Sequence, residues 1–272
     1  MNTTELYNQI CVKKSFLCTG IDPEIAKLPN HLPKNIDSLR LFIKTILKET
    51  QDLSVAYKFN TAFFEQYGSQ GWALLEDCIK EVPNTLFKIA DAKRGDIGNT
   101  SSMYAKAFFE HMNFDAVTVS PYMGEDSLRP FLEFKNKWII VLALTSNKGS
   151  QDFQHLQTGG LKLYEQVINS VCKWGNENQV MFVTGATQAS EIQNIRTLIP
   201  NHFLLVPGVG AQGGSLAQVA QHGINSKVGL LINSSRGIIY AGNDSDFGVK
   251  AKESALFLQK QMEPWIDATM DH

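Results

Sequence analysis

Eight short apolar runs recur along the chain, and segments with helical spacing separate them. Each run is about as long as a β-strand and is rich in Val, Ile, Leu or Phe. Most runs are almost continuously apolar rather than alternating, which is typical of parallel strands covered on both faces. The predicted strands span Phe16–Asp22, Ser54–Asn60, Thr85–Lys93, Ala116–Ser120, Trp138–Thr145, Val180–Gly185, His202–Pro207 and Val228–Asn233.

The segments between these runs have the periodicity of amphipathic helices. In Asp37–Glu49, apolar residues recur at i, i+3, i+4, i+7 and i+8 from Leu39. A further helix, Thr3–Val12, is predicted before the first strand. The other predicted helices span Trp72–Val82, Thr100–His111, Ser127–Phe134, Leu161–Trp174, Ala189–Leu198, Ser215–Gln221 and Val249–Met262.

Eight strand–helix units follow one another without a linker, a low-complexity tract or a break in composition. This pattern predicts a single (β/α)₈ TIM barrel over residues 1–272, in one catalytic domain with an extra N-terminal helix. An open, doubly wound sheet is the alternative, because the number of strands alone does not prove closure. The length of 272 residues suits either architecture.

Composition and charge narrow the classes of function. The chain has 25 basic and 27 acidic residues, so no strong field attracts nucleic acid or an anionic membrane. Four scattered cysteines, with no CxxC or HExxH spacing, give no sign of a metal site. The polar N-terminus lacks a signal-peptide core, and the longest apolar run, Trp138–Leu144, cannot span a bilayer. We therefore expect a reduced, cytoplasmic protein.

Polar residues concentrate where the predicted strands end, which is where a barrel carries its chemistry. Asp91 and Lys93 are two residues apart on one strand and should point to the same side, and Asp96 follows in the loop. Carboxylates beside a lysine favour its charged form, and a held ammonium can donate a proton or anchor an anion. A structural ion pair is the alternative, but Lys58 at a neighbouring strand end adds a second cation and favours catalysis.

A glycine-rich loop follows the seventh predicted strand, with Gly208, Gly210 and Gly213 in the spacing of a dinucleotide fingerprint. The loop follows a late strand, and no acidic residue lies about 20 positions further on to bind a ribose, so we do not predict a dinucleotide site. Free backbone N–H groups at such a loop suit an anion, and Arg236 at the end of the eighth strand can add a charged contact. The glycine-rich loop and Arg236 together predict a phosphate site. The alternative is a flexible surface loop and an arginine at the rim of the barrel.

Five segments together resemble the orotidine 5'-phosphate decarboxylase family, in its longer bacterial form. They occur in the same order as in that family and are spread over nearly the whole chain. The segment around Lys93 is similar to the family's central Asp-x-Lys-x-x-Asp motif. The segments are Phe16–Pro23, Tyr57–Asn60, Asp91–Thr100, Thr145–Asn147 and Pro207–Gly214.

The resemblance implies decarboxylation of orotidine 5'-phosphate to UMP without a cofactor, in a homodimer with shared active sites. Lys93 would protonate C6, and Asp91 would face the substrate carboxylate. The remaining roles fall on residues that match the family's segments. Asp22 and Lys58 would bind the ribose, and Gln212 and Arg236 would bind the phosphate. Ser146 would bond the edge of the pyrimidine, and Pro207 and Val183 would line its apolar side. Asp96 and Thr100 would reach the neighbouring subunit's site.

Three other functions remain open at this point. A metal-dependent sugar-phosphate decarboxylase or lyase on the same barrel would need a carboxylate–Mg²⁺ site, and no spare acid is evident for one. A nicotinamide-dependent oxidoreductase conflicts with the position of the glycine-rich loop. A non-enzymatic sensor of phosphate ligands would account for Gln212 and Arg236, but not for Asp91, Lys93 and Asp96.

Overall fold

A computed structural model describes residues 1–185, 189–209 and 214–270 of the chain. Eight parallel strands form a closed barrel in which each strand pairs with its neighbours in sequence. The first and last strands close it, with Leu17 opposite Ile232 and Thr19 opposite Ser234. The strands are β1 Leu17–Ile21, β2 Ala56–Asn60, β3 Phe87–Arg94, β4 Ala116–Val119, β5 Trp138–Leu144, β6 Val180–Thr184, β7 Phe203–Pro207 and β8 Leu230–Ser234.

Helices surround the barrel, and every predicted strand and helix is found, most of them within a few residues of the predicted bounds. The barrel prediction is therefore confirmed over the open sheet. The helices are α1 Thr3–Lys13, α2 Ile36–Thr50, α3 Gly68–Lys80, α4 Gly98–Lys106, α5 Glu125–Leu132, α6 Leu163–Trp174, α7 Ala189–Leu198, α8 Leu216–Gly223 and α9 Phe247–Met270.

The extra helix α1 packs at the amino end of the barrel. Asn2 caps it by accepting from the backbone N–H of Glu5, and the Glu5 side chain accepts from the Asn2 backbone in return. The indole of Trp138 donates to the Met1 carbonyl oxygen at 2.8 Å. These contacts close the end of the barrel opposite to the predicted site.

The structure differs from the prediction where elements are short or where proline occurs. Helix α9 extends beyond the predicted end at Met262 and passes through Pro264. Met262 and Ile266 are fully buried on either side of that proline, and their burial offsets its missing hydrogen bond. Short segments that were not predicted are the turns Ile25–Lys27, Ala62–Glu65, Ser150–Phe153 and Arg236–Ile239, and a hairpin of Gln157–Thr158 with Leu161–Lys162.

The predicted helix Thr100–His111 consists of two parts. Helix α4 gives way at Ala107 to a π-helical turn that continues to His111. Phe108 and Phe109 in this turn are almost fully buried. Within this turn the ring of Phe108 packs against Phe114, and the ring of Phe109 packs against Phe131 of α5.

Candidate active site

A cleft of about 390 Å³ lies at the carboxyl end of the barrel, and all eight strands or the segments directly after them contribute to its lining. Its apolar wall includes Val183 and Pro207, the two residues that the resemblance places on the apolar side of the pyrimidine. The remaining lining is strongly polar and carries both signs of charge. Its polar side chains are Asp22, Lys58, Asn60, Asp91, Lys93, Thr118, Thr145, Ser146, Asn147, Asn233, Ser234, Ser235 and Arg236.

Asp91 holds two ammonium groups at once. Lys58 Nζ donates to its Oδ2 atom at 2.8 Å, and Lys93 Nζ donates to its Oδ1 atom at 2.6 Å. The Thr118 hydroxyl also donates to Oδ1, at 3.0 Å. The predicted orientation of Asp91 and Lys93 to one side of β3 is thus confirmed. Both oxygens of this carboxylate are already committed to donors.

Burial separates the two lysines into different environments. The side chain of Lys58 is 7% exposed, whereas that of Lys93 is 51% exposed toward the cleft. Lys58 Nζ also lies 3.8 Å from Oδ1 of Asp22, a distance at which the charges still attract. Lys58 is therefore a fixed part of the wall, and Lys93 presents its ammonium to a ligand.

The surrounding charges shift the ionisation of this pair. Burial alone would raise the pKa of Asp91, but the charges of Lys58 and Lys93 and their hydrogen bonds outweigh it and lower that pKa. Burial alone would lower the pKa of Lys58, but Asp91 and Asp22 outweigh it and raise that pKa. The carboxylate and the ammonium therefore stay charged across the neutral range.

A second polar group lies where β1 and β8 meet. The Ser235 hydroxyl donates to Oδ2 of Asp22 at 2.7 Å. Oδ1 of Asp22 and Oδ1 of Asn233 are buried without a hydrogen-bond partner among the described residues. The two chain segments can approach because Gly20 has no side chain: a Cβ there would lie 2.8 Å from Cβ of Ser235. Unsatisfied acceptors in a cleft wall suit the hydroxyl groups of a ligand.

Arg236 and Gly208, which begins the loop after β7, belong to the same cleft. Arg236 begins the turn after β8, and Gly208 has a φ of +91°, which suits glycine at the start of the loop. Both residues line the cleft. Gln212 lies outside the described residues, so its predicted contact with the phosphate stays a prediction.

Ser146 follows β5 and lines the cleft, as predicted. It packs against Gly185, where a Cβ would approach the Ser146 backbone nitrogen to 2.9 Å. The Gln154 side chain accepts from the Thr145 N–H at 2.8 Å and donates to the Thr145 hydroxyl at 2.9 Å. These contacts set the backbone just before Ser146.

Asp96 and Thr100 do not line this cleft. Asp96 lies in the loop between β3 and α4, where its Oδ1 atom accepts from the Ile97 N–H at 2.8 Å. Thr100 is exposed in the first part of α4. The cleft therefore brings together eight of the eleven predicted site residues, namely Asp22, Lys58, Asp91, Lys93, Ser146, Val183, Pro207 and Arg236.

Several lining residues were not singled out from the sequence. Asn60, Asn147 and Asn233 stand at strand ends, so their positions carried a signal that could have marked them. Thr118 gave no such signal, because it lies inside the apolar run of β4. Only its contacts in three dimensions identify it as part of the site.

The described residues contain no helix long and apolar enough to cross a membrane. They also contain no group of three or more His, Cys, Asp or Glu placed to hold a metal ion.

Comparisons with known proteins agree on one family. Residues 16–247 match the orotidine 5'-phosphate decarboxylase / HUMPS family. The chain is 55% identical over 271 residues to an orotidine 5'-phosphate decarboxylase of Flavobacterium johnsoniae. The aligned region covers 98% of this chain and 99% of the relative. An orotidine 5'-phosphate decarboxylase of Bacteroides fragilis is 50% identical over 274 residues, or 99% of this chain and 100% of the relative.

The fold gives the same answer. The solved structure of an OMP decarboxylase from Leishmania donovani superposes with a TM-score of 0.85 at 36% identity, over 98% of this chain and 99% of that one.

Proposed function

Because the chain belongs to the orotidine 5'-phosphate decarboxylase / HUMPS family, we propose that orotidine 5'-phosphate lies in the cleft at the carboxyl end of the barrel and that Lys93 protonates C6 of its pyrimidine ring. The activity is the decarboxylation of orotidine 5'-phosphate to UMP and carbon dioxide, a step in making pyrimidine nucleotides. The relatives give no support to the metal-dependent sugar-phosphate lyase.

The observation that carries the proposal for Lys93 is the pair of bonds that Asp91 accepts. Lys58 holds the carboxylate from within the wall at 2.8 Å, and Lys93 meets its other oxygen at 2.6 Å on the cleft side. This arrangement presents one charged ammonium to the ligand and keeps a fixed negative charge beside it. Such fixed charge needs no reorganisation when the reaction occurs.

The chemistry suits this arrangement. When the bond between C6 and the carboxylate breaks, the electron pair stays on C6 and carbon dioxide leaves. An ammonium aimed at C6 stabilises the developing carbanion more than it stabilises the bound substrate, which is the condition for catalysis. The Nζ proton then passes to C6, and the neutral amine recovers a proton from solvent. Asp91 would lie next to the substrate carboxylate.

The rest of the cleft would hold the nucleotide in one orientation. The ribose hydroxyls would donate to the unsatisfied Oδ1 of Asp22 and bind near Lys58. The pyrimidine edge would meet Ser146, with Pro207 and Val183 on its apolar side. Arg236 and Gln212 would bind the phosphate. Binding energy from this remote group would help to hold the reacting ring in place against Lys93.

We also propose that the active unit is a homodimer in which Asp96 and Thr100 reach the partner's site. The support is three large apolar side chains that are exposed on α4 and on the segments just before α4 and α5, those of Ile97, Met103 and Tyr122. Helices α4 and α5 are held together there, since the Ser101 hydroxyl donates to the Ser127 carbonyl oxygen at 2.8 Å. Aromatic residues and Met are enriched at protein interfaces relative to the rest of a protein surface. A two-fold axis would place both copies of Asp96 at such an interface.

The cytoplasm is the compartment we propose for this enzyme. All four cysteines are free thiols, as expected in a reducing compartment.

The test of Lys93 separates turnover from binding. Lys93→Ala should abolish the absorbance change that follows consumption of orotidine 5'-phosphate, while calorimetry should show UMP binding within about threefold of wild type. Lys88→Met is the matched control, because Lys88 lies at the opposite end of the same strand and contacts Asn84. A Lys93→Ala enzyme with near-normal kcat would refute the proposed role.

A further inference from the structure

The backbone of Lys93 has an unusual conformation. Its φ angle is +48°, in the left-handed region that residues other than glycine rarely adopt. The register of β3 against β4 shifts between Ala90 and Arg94, so Lys93 lies within an interruption of regular pairing. A strained conformation of this kind persists when the surrounding structure holds it in place.

Two hydrogen bonds hold the peptide group that joins Ala92 to Lys93. Its carbonyl oxygen, on Ala92, accepts from Nη1 of Arg94 at 2.8 Å. Its N–H, on Lys93, donates to the Thr118 hydroxyl at 2.9 Å. Because a peptide group is planar, fixing it at both ends fixes its orientation and constrains the φ angle of Lys93.

Arg94, which makes the first of these two contacts, is itself held in place by its neighbours. Arg94 Nη2 donates to Oε1 of Glu65 at 2.6 Å, and the arginine side chain is 20% exposed. Its guanidinium lies 5.2 Å from the ring centre of Tyr104 and 5.5 Å from that of Phe108. Arg94 belongs to the outer surface of the barrel, together with these rings, and is absent from the lining of the cleft. It can therefore act on the substrate only through the backbone of β3.

We propose that Arg94 and its anchor Glu65 are positioning residues that, from outside the cleft, fix the Ala92–Lys93 peptide and keep the Lys93 ammonium against Asp91 and aimed at C6. This inference deepens the proposed function, since it rests on Lys93 as the proton donor. Loss of the Arg94 contact should let the peptide rotate and displace the ammonium. Turnover then suffers more than nucleotide binding, because the ribose and phosphate contacts stay in place.

The first test uses Arg94→Met, which keeps an unbranched side chain against Tyr104 and Phe108 but removes the guanidinium. We expect kcat to fall about 10- to 100-fold, the scale for a reacting group displaced by about 1 Å. KM and the Kd for UMP should stay within about threefold. The Lys93 amide should exchange with deuterium faster, because its hydrogen bond to Thr118 loses its support. The same kcat and the same exchange rate as wild type would overturn the proposal.

The second test examines the anchor, and its main comparison, between Glu65→Gln and Glu65→Met, needs no Arg94 variant to fold. Glu65→Gln retains an oxygen that accepts from Arg94 and should keep kcat within about threefold of wild type. Glu65→Met lacks the acceptor and should lower kcat, and adding it to Arg94→Met should cause little further loss, because both act on one contact. Equal kcat in Glu65→Gln and Glu65→Met would contradict the proposed anchor.

Two controls separate this inference from its premise. Arg129 also binds a carboxylate, of Glu125, and a backbone carbonyl, of Trp174, but far from β3. Arg129→Met should therefore leave kcat unchanged. Lys93→Ala is assayed in parallel: if it stays active, the proposed role of Lys93 fails, and if it is inactive while Arg94→Met is normal, the positioning role alone fails.

Discussion

Lys58 and Asp91 are bonded at 2.8 Å across adjacent strands although they are not paired in register, since Asp91 lies opposite Asn60 and Lys58 lies opposite Ile89. The long lysine side chain leans two residues toward the carboxyl end of the barrel to reach the carboxylate. Both side chains are 10% exposed or less. The bond therefore joins two buried charges that depend on each other.

Replacing Asp91 alone should destabilise the protein more than replacing both Asp91 and Lys58. Asp91→Asn leaves the buried Lys58 ammonium with Asp22 at 3.8 Å. We expect a loss of about 3 kcal/mol in the free energy of unfolding, near the low end for a broken buried pair. The double variant Asp91→Asn with Lys58→Met should lose less, since no unpaired buried cation remains. Urea denaturation of the three proteins at neutral pH measures both differences.

The surface pair of Lys44 and Glu81 is a suitable control for that experiment, because both side chains are at least 40% exposed. Glu81→Gln should change the free energy of unfolding by about 0.5 kcal/mol or less. If Asp91→Asn has an equally small effect, the buried pair contributes nothing to stability.

The contribution of Asp91 to stability should depend on pH in one direction. Its pKa is lowered in the folded state, so the contribution is complete above the ordinary carboxyl pKa and is lost as pH falls through the lowered value. The pKa of Lys58 is raised, so its contribution persists through the neutral range and is lost at strongly alkaline pH. The stability difference between wild type and Asp91→Asn should thus be constant from about pH 5 to pH 9 and shrink below about pH 4.

Urea titrations across that range would test the sign. A difference that grows as the solution becomes more acidic would contradict a lowered pKa for Asp91.

Arg236 should matter for substrates that carry a phosphate. Arg236→Ala removes a charge-assisted contact worth about 1.5–3 kcal/mol, so kcat/KM for orotidine 5'-phosphate should fall about 10- to 150-fold. With a truncated substrate that lacks the phosphate, the variant and the wild type should differ by less than about twofold. Initial rates with both substrates measure the contrast. Equal losses on both would show that Arg236 does not bind the phosphate.

Chelation should leave the activity unchanged. Both oxygens of Asp91 accept from lysines, and Asp22 already has the Lys58 ammonium 3.8 Å from its free oxygen, so a metal ion would have to compete with cations that are already in place. Rates after exhaustive treatment with EDTA should match untreated enzyme. Loss of turnover that added Mg²⁺ restores would instead assign a carboxylate–metal site to this barrel.

Much of the catalytic arrangement could be predicted because it follows strand geometry. Asp91 and Lys93 are two residues apart on one strand, which predicts that they face the same side. The carboxyl ends of parallel strands meet at one end of a barrel, which brings Lys58 and Arg236 to the same cleft. Almost continuous apolar runs likewise predicted the strands, and apolar positions at helical spacing predicted the long helices.

What the sequence could not predict depends on contacts rather than on periodicity. The left-handed φ of Lys93 arises from contacts of Ala92 and Thr118 that no local pattern specifies. The turn Ala62–Glu65, which carries the anchor of Arg94, is too short to have helical periodicity. The continuation of α9 beyond Pro264 depends on burial of Ile266, which tertiary packing decides.

Assembly can be tested by mixing two inactive proteins. If Asp96 acts in the partner's site, a dimer of one Lys93→Ala chain and one Asp96→Ala chain has one site with both residues intact and one site with neither. Random exchange makes half of the dimers mixed, so about a quarter of all sites should recover activity under two-fold symmetry. The gain should follow the rate of subunit exchange measured by native mass spectrometry. If exchange is complete and the activity stays at that of the parents, Asp96 acts within its own chain, and the exposed surface around Ile97 and Met103 has no direct part in the chemistry.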